Sequence, residues 1–338
     1  MPTQPRTVRA AAARDAWPEV AVIMVVRNER RHLAETVTSV LGQDYPGALE
    51  VVIAVGPSSD GTERVAAELA QRHPAVRVVS NPTGRTPNGL NSAIAATSAP
   101  IVARADGHAL LPDGYLKRAV ELLVETGAVN VGGVMAAEGT TPFQRAVAAA
   151  MSSPFGVGGG RFHYGGEAGP ADTVYLGVFR RDALLAANGY DERFTRAQDW
   201  ELNHRLRSAG GKVWFAPELR VTYRPRHSLR ALGRQYRDYG RWRRAVMRRH
   251  PDSVRWTYLV PPATVTGVAV GVAVAATGRR AGLLAPAAYA IANLLASGIV
   301  GRRLPRNEAA RLPAIFATMH FSWGWGFLTS RARIEDGA

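Results

Sequence analysis

Five short polar strings hold the side chains of this 338-residue chain that could do chemistry. The first is the Arg27-Asn28-Glu29 turn, which ends the apolar run Val22–Val26. The others are Ser39–Pro46, Gly56–Thr62 with Asp60 inside it, Arg104-Ala-Asp-Gly-His108, and Gly189–Glu192 followed by Gln198-Asp-Trp-Glu201. Carboxylates and imidazole among them can hold a divalent cation or accept a proton, and arginine can meet phosphate. Asp106 and His108 lie two residues apart. An imidazole is acceptable to Mn2+ but poor for Mg2+, so His108 is either a second ligand or a hydrogen-bonding residue near a turn.

These strings need elements to position them. Short β-branched runs alternate with helical segments from Glu19 to about Val134. Strands are expected at Val20–Val26, Glu50–Val55, Val76–Ser80, Ile101–Ala105 and Val129–Val134, and helices at His32–Leu41, Glu63–Arg72, Pro87–Ala96 and Asp113–Thr126. That alternation predicts βαβ units and a mostly parallel sheet, in which ligands bind beyond the carboxyl ends of the strands. Asp60 is expected to cap a helix, with Glu63 reaching back from the third position. Phe155–Gly169 has seven glycines in fifteen residues and does not join a strand to a helix. It is expected to be a mobile loop over a cleft or a plain flexible connection.

The C-terminal quarter changes character. Three runs lack charge, at Trp256–Gly278, Ala281–Gly301 and Leu312–Ser330, each near the ~20 residues that cross a bilayer core. The first two, joined by Arg279-Arg280, predict a membrane hairpin. The third, with His320, Trp323 and Trp325, suits a span or an interfacial helix. The Arg-rich segment before the first run and Arg302, Arg303, Arg306 and Arg311 after the second place both ends inside.

The net charge of +15 points to an anionic partner, and it is localised. Arg220–Trp256 carries twelve arginines against Asp238 and Asp252. Arg230, Arg234, Arg237, Arg241, Arg244 and Arg248 recur at steps of four and three, one face of a helix. That face is expected to lie on the anionic inner leaflet, with a diphosphate or plain solvent as alternatives. A nucleic-acid partner is not expected, because it leaves the apolar runs and ordered strings unexplained. Absence of cysteine excludes disulfides, thiolate metal sites and Cys nucleophiles. Residues 1–18 are expected to be a disordered tail without a signal peptide's apolar core, leaving the catalytic part in the cytoplasm.

The five strings in this order resemble the family 2 glycosyltransferases, over about Pro18 to Trp242. Within the family the likeness is greatest to the succinoglycan-biosynthesis glycosyltransferases, through Asp106-Gly-His108, Gln198–Glu201, Gln235–Trp242 and Met319–Phe327. The resemblance implies a GT-A fold, an α/β Rossmann-like nucleotide-diphospho-sugar transferase domain, at residues 19–227. It would be followed by the basic interfacial helix at 228–255 and a membrane region at 256–330 with C-terminal transmembrane helices, 312–330 being the possible third span. It implies an inverting transferase that moves a sugar from a nucleotide-sugar donor to a lipid-linked saccharide or growing polysaccharide of the cell envelope, at the plasma membrane.

The resemblance also implies roles for particular residues. Asp106, with His108, would hold Mn2+ or Mg2+ against the donor diphosphate. Glu29, Arg27, Arg85 and Asn91 would line the donor pocket. Asp199 would be the general base, its alternative being a helix N-cap, and Glu201 a weaker candidate base. Relatives carry an acidic residue two positions before Asp106, where this chain has Arg104, and an Asp about five positions before Asp60, where it has Val55. A polyprenyl-phosphate sugar synthase and a catalytically silent membrane scaffold are the alternatives to that activity.

Overall fold

The computed structural model describes residues 17–331, so all but the end of the expected tail lies outside the described residues. The chain forms two compact units. One holds the chain up to Gly133, with Val174–Glu192 and Arg205–Leu219. The other holds Val134–Thr173, Arg193–His204 and everything from Arg220.

In the first unit β1 (Val20–Val26), α1 (Leu33–Leu41), β2 (Leu49–Val55), α2 (Thr62–Arg72), β3 (Val76–Ser80), α3 (Thr86–Ala95), β4 (Ile101–Asp106) and α4 (Tyr115–Thr126) alternate as the pattern predicts. β1 pairs in parallel with β2 and β4, and β2 with β3. Val20, Ala21, Val22, Val51–Ala54 and Val102–Ala103 are wholly buried, as strands covered on both faces must be. α1 buries Leu33, Thr36, Val37 and Val40, the inner stripe of an amphipathic helix. β7 (Tyr175–Arg180) pairs antiparallel with both β4 and β5 (Asn130–Ala137). With β6 (Gly169–Pro170) and β8 (Val213–Tyr223), the full sheet order is β3-β2-β1-β4-β7-β5-β8-β6. β5 and β8 run on from the first unit into the second.

The start of α2 differs from the expected cap. Gly61, at φ +89°, precedes the helix, and Asp60 Oδ1 accepts from the Thr62 N–H at 3.0 Å. Glu63 accepts from the Ser58 N–H at 2.7 Å. The chain turns through a left-handed residue that only glycine adopts at little cost, which moves both acidic side chains one step away from capping-box geometry.

The second unit is helical. α5 (Pro142–Met151) starts in a capping box of Thr141 and Gln144. The glycine-rich segment then holds two single turns, α6 (Pro154–Val157) and α7 (Arg161–Tyr164). Its beginning is anchored, since a Cβ on Gly156 would meet Ala150 O at 2.1 Å. α8 (Arg181–Ala186) belongs to the first unit, and α9 (Gln198–Ser208) crosses from the second into the first. The long basic helix α10 (Leu229–Arg249) follows, then α11 (Val260–Ala276), α12 (Leu284–Gly301), α13 (Arg306–Ala309) and α14 (Leu312–Leu328).

The helices of this unit gather on α14. Leu312, Ile315, Phe316 and Met319 are wholly buried, and the Phe155 ring packs edge-on to Phe316 at 5.0 Å. α10 lays Leu232, Tyr236 and Val246 inward, while Leu229 and Tyr239 of the same apolar side stay exposed. Glycines set the approach of α10 to α14. A Cβ on Gly240 would meet Trp323 O at 2.0 Å, and one on Gly326 would meet Arg237 O at 2.0 Å. Arg244 Nη1 then donates to the last carbonyls of α14, Phe327 O and Leu328 O, at 2.9 and 2.6 Å.

α11 and α12 are apolar and largely exposed, with Val270 at 56 %, Leu284 at 72 % and Ile299 at 64 %. With the turns that precede them, Trp256–Ala276 and Arg280–Gly301 are long and apolar enough to cross a membrane. What α12 buries is Asn293, Ser297 and Gly301. Asn293 Nδ2 donates to Pro313 O at 3.0 Å, Ser297 Oγ donates to Asn293 Oδ1 at 3.2 Å, and the Tyr289 hydroxyl meets His320 Nδ1 at 3.1 Å. This helix is inside-out, polar toward its neighbours and apolar outward.

Gly240→Val inserts side-chain atoms where α10 meets the α14 backbone. It should lower stability by about 2–3 kcal/mol, read from thermal unfolding of detergent-solubilised protein. Gly233→Ala is the control, because its added Cβ would meet Ser322 Oγ at 3.2 Å and no backbone; it should change little.

Candidate active site

The loops after β1 and β2 are sewn into one block. Asn28, at φ +58°, accepts from the Ser59 N–H at 2.9 Å and donates its own N–H to Ser58 Oγ at 3.2 Å. The Glu29 N–H donates to Thr62 Oγ1 at 2.8 Å, and the Arg30 N–H to Asp60 Oδ2 at 3.1 Å. The Thr62 hydroxyl donates to Asp60 Oδ1 at 2.6 Å. That hydroxyl, followed by the backbone N–H groups, holds the Asp60 carboxyl below its ordinary pKa. Asp60 is thus an organiser of both loops.

With its backbone held, Glu29 reaches the loop after β4, where Oε1 lies 2.9 Å from His108 Nδ1. Gly107 makes this meeting possible. A Cβ there would stand 2.7 Å from Val26 Cγ1 and 3.2 Å from Glu29 Cγ. Thr36 Oγ1 donates to Gly107 O, and the Ala109 N–H to Asp106 O, which fixes the turn that carries Asp106 and His108. Asp106 is half-buried, and Arg104 Nη2 donates to its Oδ1 at 3.0 Å. Arg104 itself is 8 % exposed.

Arg27 and Arg85 are exposed on adjoining loops. A Cβ on Gly56 would meet Gly84 Cα at 3.1 Å, and one on Gly84 would meet Arg27 Nη1 at 3.6 Å. Two glycines therefore let these cationic loops close together. Asn91 uses its amide on structure: Nδ2 donates to Tyr190 O at 2.8 Å and to Glu192 Oε1 at 3.1 Å, while Oδ1 accepts from the Tyr190 N–H at 2.8 Å. Asn88 Nδ2 donates to the other Glu192 oxygen. The Gly189–Glu192 string is clamped onto α3 in this way.

Among the described residues no group of three or more His, Cys, Asp or Glu side chains forms a metal cage. Asp106 and His108 offer two donor side chains, with Glu29 orienting the imidazole through Nδ1. With His108 as a ligand this set fits Mn2+, and Asp106 alone fits Mg2+, held in the usual way at nucleotide sites with substrate phosphates and water completing the shell.

Asp199 belongs to the second unit. α9 begins at Gln198, so Asp199 sits in its first turn and is half-buried, rather than standing ahead of the helix as an N-cap. Its neighbours are committed to packing. Glu201 is 1 % exposed, with Oε1 3.0 Å from His250 Nε2. His204 stacks on Trp200 at 5.7 Å, and its Nε2 lies 3.3 Å from Asp252 Oδ2. The Arg243 guanidinium lies over both the Trp200 and Tyr258 rings, 4.3 and 4.4 Å from their centroids. Burial pulls its pKa below the ordinary guanidinium value. Sequence reasoning passed over Arg243, His250 and Glu192; only the acid-rich Gly189–Glu201 strings hinted at them.

Residues 18–245 match the family described as Glycosyltransferase like family 2. The succinoglycan biosynthesis protein ExoA of Rhizobium meliloti (strain 1021) is 32 % identical over 311 residues, covering 90 % of this chain and 93 % of that protein. The dolichyl N-acetyl-alpha-D-glucosaminyl phosphate 3-beta-D-2,3-diacetamido-2,3-dideoxy-beta-D-glucuronosyltransferase of Methanococcus voltae is 23 % identical over 248 residues, 71 % of this chain and 77 % of that one. Among solved structures, the mannosyltransferase PcManGT of Pyrobaculum calidifontis, in complex with GDP-Man and Mn2+, shares the GT-A fold. Its TM-score is 0.60 at 21 % identity, over 92 % of this chain and 90 % of that one.

Glu201→Ala removes a carboxylate that is 1 % exposed and lies against His250, and it should cost about 3 kcal/mol; denaturant unfolding checks this.

Proposed function

This chain belongs to glycosyltransferase family 2, and from that premise we propose that it is an inverting enzyme of exopolysaccharide or envelope-glycan synthesis. In this reading it moves a sugar from a nucleotide-diphosphate sugar to a lipid-linked saccharide or a growing polysaccharide. The observation that carries the donor half is the strand-end cluster, where Glu29, Asp106 and His108 are brought together by the loops after β1 and β4. Parallel sheets bind their ligands at that edge. The exposed Arg27 and Arg85 supply positive charge for a diphosphate on the neighbouring loops, and Asn91 keeps the Gly189–Glu192 string in place beside α3.

In the proposed reaction the acceptor hydroxyl oxygen bonds to the anomeric carbon as the bond from that carbon to the diphosphate oxygen breaks. The hydroxyl proton passes to the Asp199 carboxylate, and the nucleoside diphosphate leaves with the electron pair. Inversion follows from attack opposite the leaving group, and one base suffices for it. A divalent cation held by Asp106 and His108 would supply Lewis-acid neutralisation of the diphosphate charge. Burial supports Asp199 as the base over Glu201, because Glu201 is 1 % exposed while Asp199 is half-buried.

The acceptor half rests on the inside-out hairpin. Burying Asn293 and Ser297 while exposing Leu284, Ile291, Leu294, Leu295 and Ile299 suits lipid and opposes water. A membrane-held enzyme meets lipid-carried acceptors, and the name of the Methanococcus relative, with its dolichyl phosphate, accords with such an acceptor. We place both ends of the hairpin on the cytoplasmic side, since arginines flank them there and only Arg279 and Arg280 mark the turn.

Asp199→Asn should bind donor as the parent does but turn over at least ~10²-fold more slowly. Parent-like turnover would remove the base and favour a lipid phosphate as acceptor, which has no hydroxyl proton to lose. The full chain should stay in membranes through a high-salt and alkaline carbonate wash and come out only with detergent; release by salt alone would defeat the hairpin.

A further inference from the structure

The second unit holds a polar cluster that the proposed reaction does not use. At its centre the Gln235 amide bridges two phenols, Nε2 donating to Tyr223 Oη and to Tyr239 Oη, each at 2.7 Å. Its other end, Oε1, is buried and has no hydrogen-bond partner among the described residues, and neither has the hydroxyl of Tyr236. Tyr236 is 4 % exposed, and its ring packs edge-on to Tyr239 at 5.5 Å. Burial, followed by the Tyr239 and Tyr223 hydroxyls, holds the Tyr236 hydroxyl well above the ordinary phenol pKa, so it keeps its proton. Tyr239 is 38 % exposed, so the cluster runs from the interior of the unit to its surface. One turn further along α10, Trp242 meets Phe194 at 6.3 Å, in the segment that leads to α9 and Asp199.

Buried polar atoms in folded proteins find partners, and an enclosed phenol without one costs stability. A hydroxyl kept there in spite of that cost is suited to a ligand. Tyr223 and Tyr239 accept from Gln235 and keep their own protons to donate, as Tyr236 does, whereas Gln235 Oε1 can only accept. Three donors and one acceptor match a set of hydroxyls, which donate and accept alike; a phosphate, which only accepts, leaves Oε1 unmet. The Tyr236 and Tyr239 rings add apolar surface for the C–H face of a sugar ring. We propose that Tyr223, Gln235, Tyr236 and Tyr239 form a subsite for the acceptor, binding the hydroxyls of a neutral pyranose. An anion is the rival occupant, because Arg196 and Arg226 are exposed nearby. Desolvation pushes the Tyr239 hydroxyl up to about 12, with Tyr223 adding to it and Gln235, Arg226 and Arg196 opposing. The subsite rests on the reading of the acceptor as a saccharide.

The test is saturation-transfer NMR on the full-length protein in a sugar-free detergent, with the methyl glycosides of glucose, galactose, mannose and N-acetylglucosamine as probes. The parent should pass saturation to at least one glycoside, and inorganic pyrophosphate should not displace it. Tyr236→Phe and Tyr239→Phe should each weaken that glycoside's affinity by about tenfold, the scale of one enclosed hydrogen bond. Arg249→Gln, at the exposed end of α10, should leave it unchanged. Tyr236→Phe should also unfold no earlier than the parent, because the hydroxyl it removes has no partner among the described residues. A parent that transfers to none of the glycosides would overturn the proposal without any variant having to fold. Displacement by pyrophosphate would overturn it too, and assign the cluster to an anion held by Arg196 and Arg226. So would parent-like affinity in both tyrosine variants, or earlier unfolding of Tyr236→Phe, which would make that hydroxyl structural. Asp199→Asn separates the two readings, since it should bind the glycoside as the parent does. Parent-like turnover in Asp199→Asn with lost binding in Tyr236→Phe removes the base and leaves the subsite. Slow turnover in Asp199→Asn with unchanged binding in both tyrosine variants removes only the subsite.

Discussion

Two backbone N–H groups just past β1, those of Glu29 and Arg30, donate to the side chains of Thr62 and Asp60 across the loop that follows β2. Without these bonds the Arg27–Arg30 turn would be one more exposed loop, carrying a left-handed asparagine at a conformational cost. With them, Glu29 is aimed at His108 over a glycine that leaves room for nothing larger. The edge of the first unit is organised from this contact outward. β1 lies between β2 and β4 in the sheet, so a residue at its end can tie down both neighbours. The buried apolar strands supply the stability that holds such a polar edge in one arrangement.

A different constraint rules the second unit. α10 carries eight arginines against a single aspartate, and that charge has to be kept apart from helix packing. Gly240 and Gly326 let α10 and α14 touch backbone to backbone. The close approach buries Leu232, Tyr236 and Val246 and leaves Arg230, Arg234, Arg237 and Arg248 exposed. Arg244 turns inward to satisfy carbonyls at the end of α14, the groups a helix C-terminus otherwise leaves unbonded. Arg243 turns inward too, and its guanidinium lies against the Trp200 and Tyr258 rings. One run of arginines thus serves three physical roles, which the 3.6-residue period alone does not separate.

Charge is arranged with the same economy around α9. Four titratable side chains, Glu201, His204, His250 and Asp252, tie α9 to the end of α10. Asp199 lies next to this network in the first turn of the same helix. Within that first turn burial differs, Glu201 being enclosed and Asp199 half-buried.

The sequence by itself determined a good deal about this protein. Alternating β-branched and helical runs located β1 to β4 within a residue or two, because β1, β2 and β4 are largely buried and read as mostly apolar segments, while the edge strand β3 keeps its β-branched valines. Family membership was legible in five ordered strings, and the two exposed apolar helices in charge-free runs. Tertiary structure decided who partners whom. Glu29 and His108 are 79 residues apart, and Glu201 and His250 are 49 apart. No local period encodes such meetings; sheet order and helix packing do. The same holds for Asn91, whose amide binds the backbone at Tyr190 from 99 residues away. Asp60 and Glu63 carry a helix-start signature, yet a left-handed Gly61 shifted them onto other donors. Local propensity names the residues able to cap or ligate. The three-dimensional arrangement of competing donors determines which of those bonds is made.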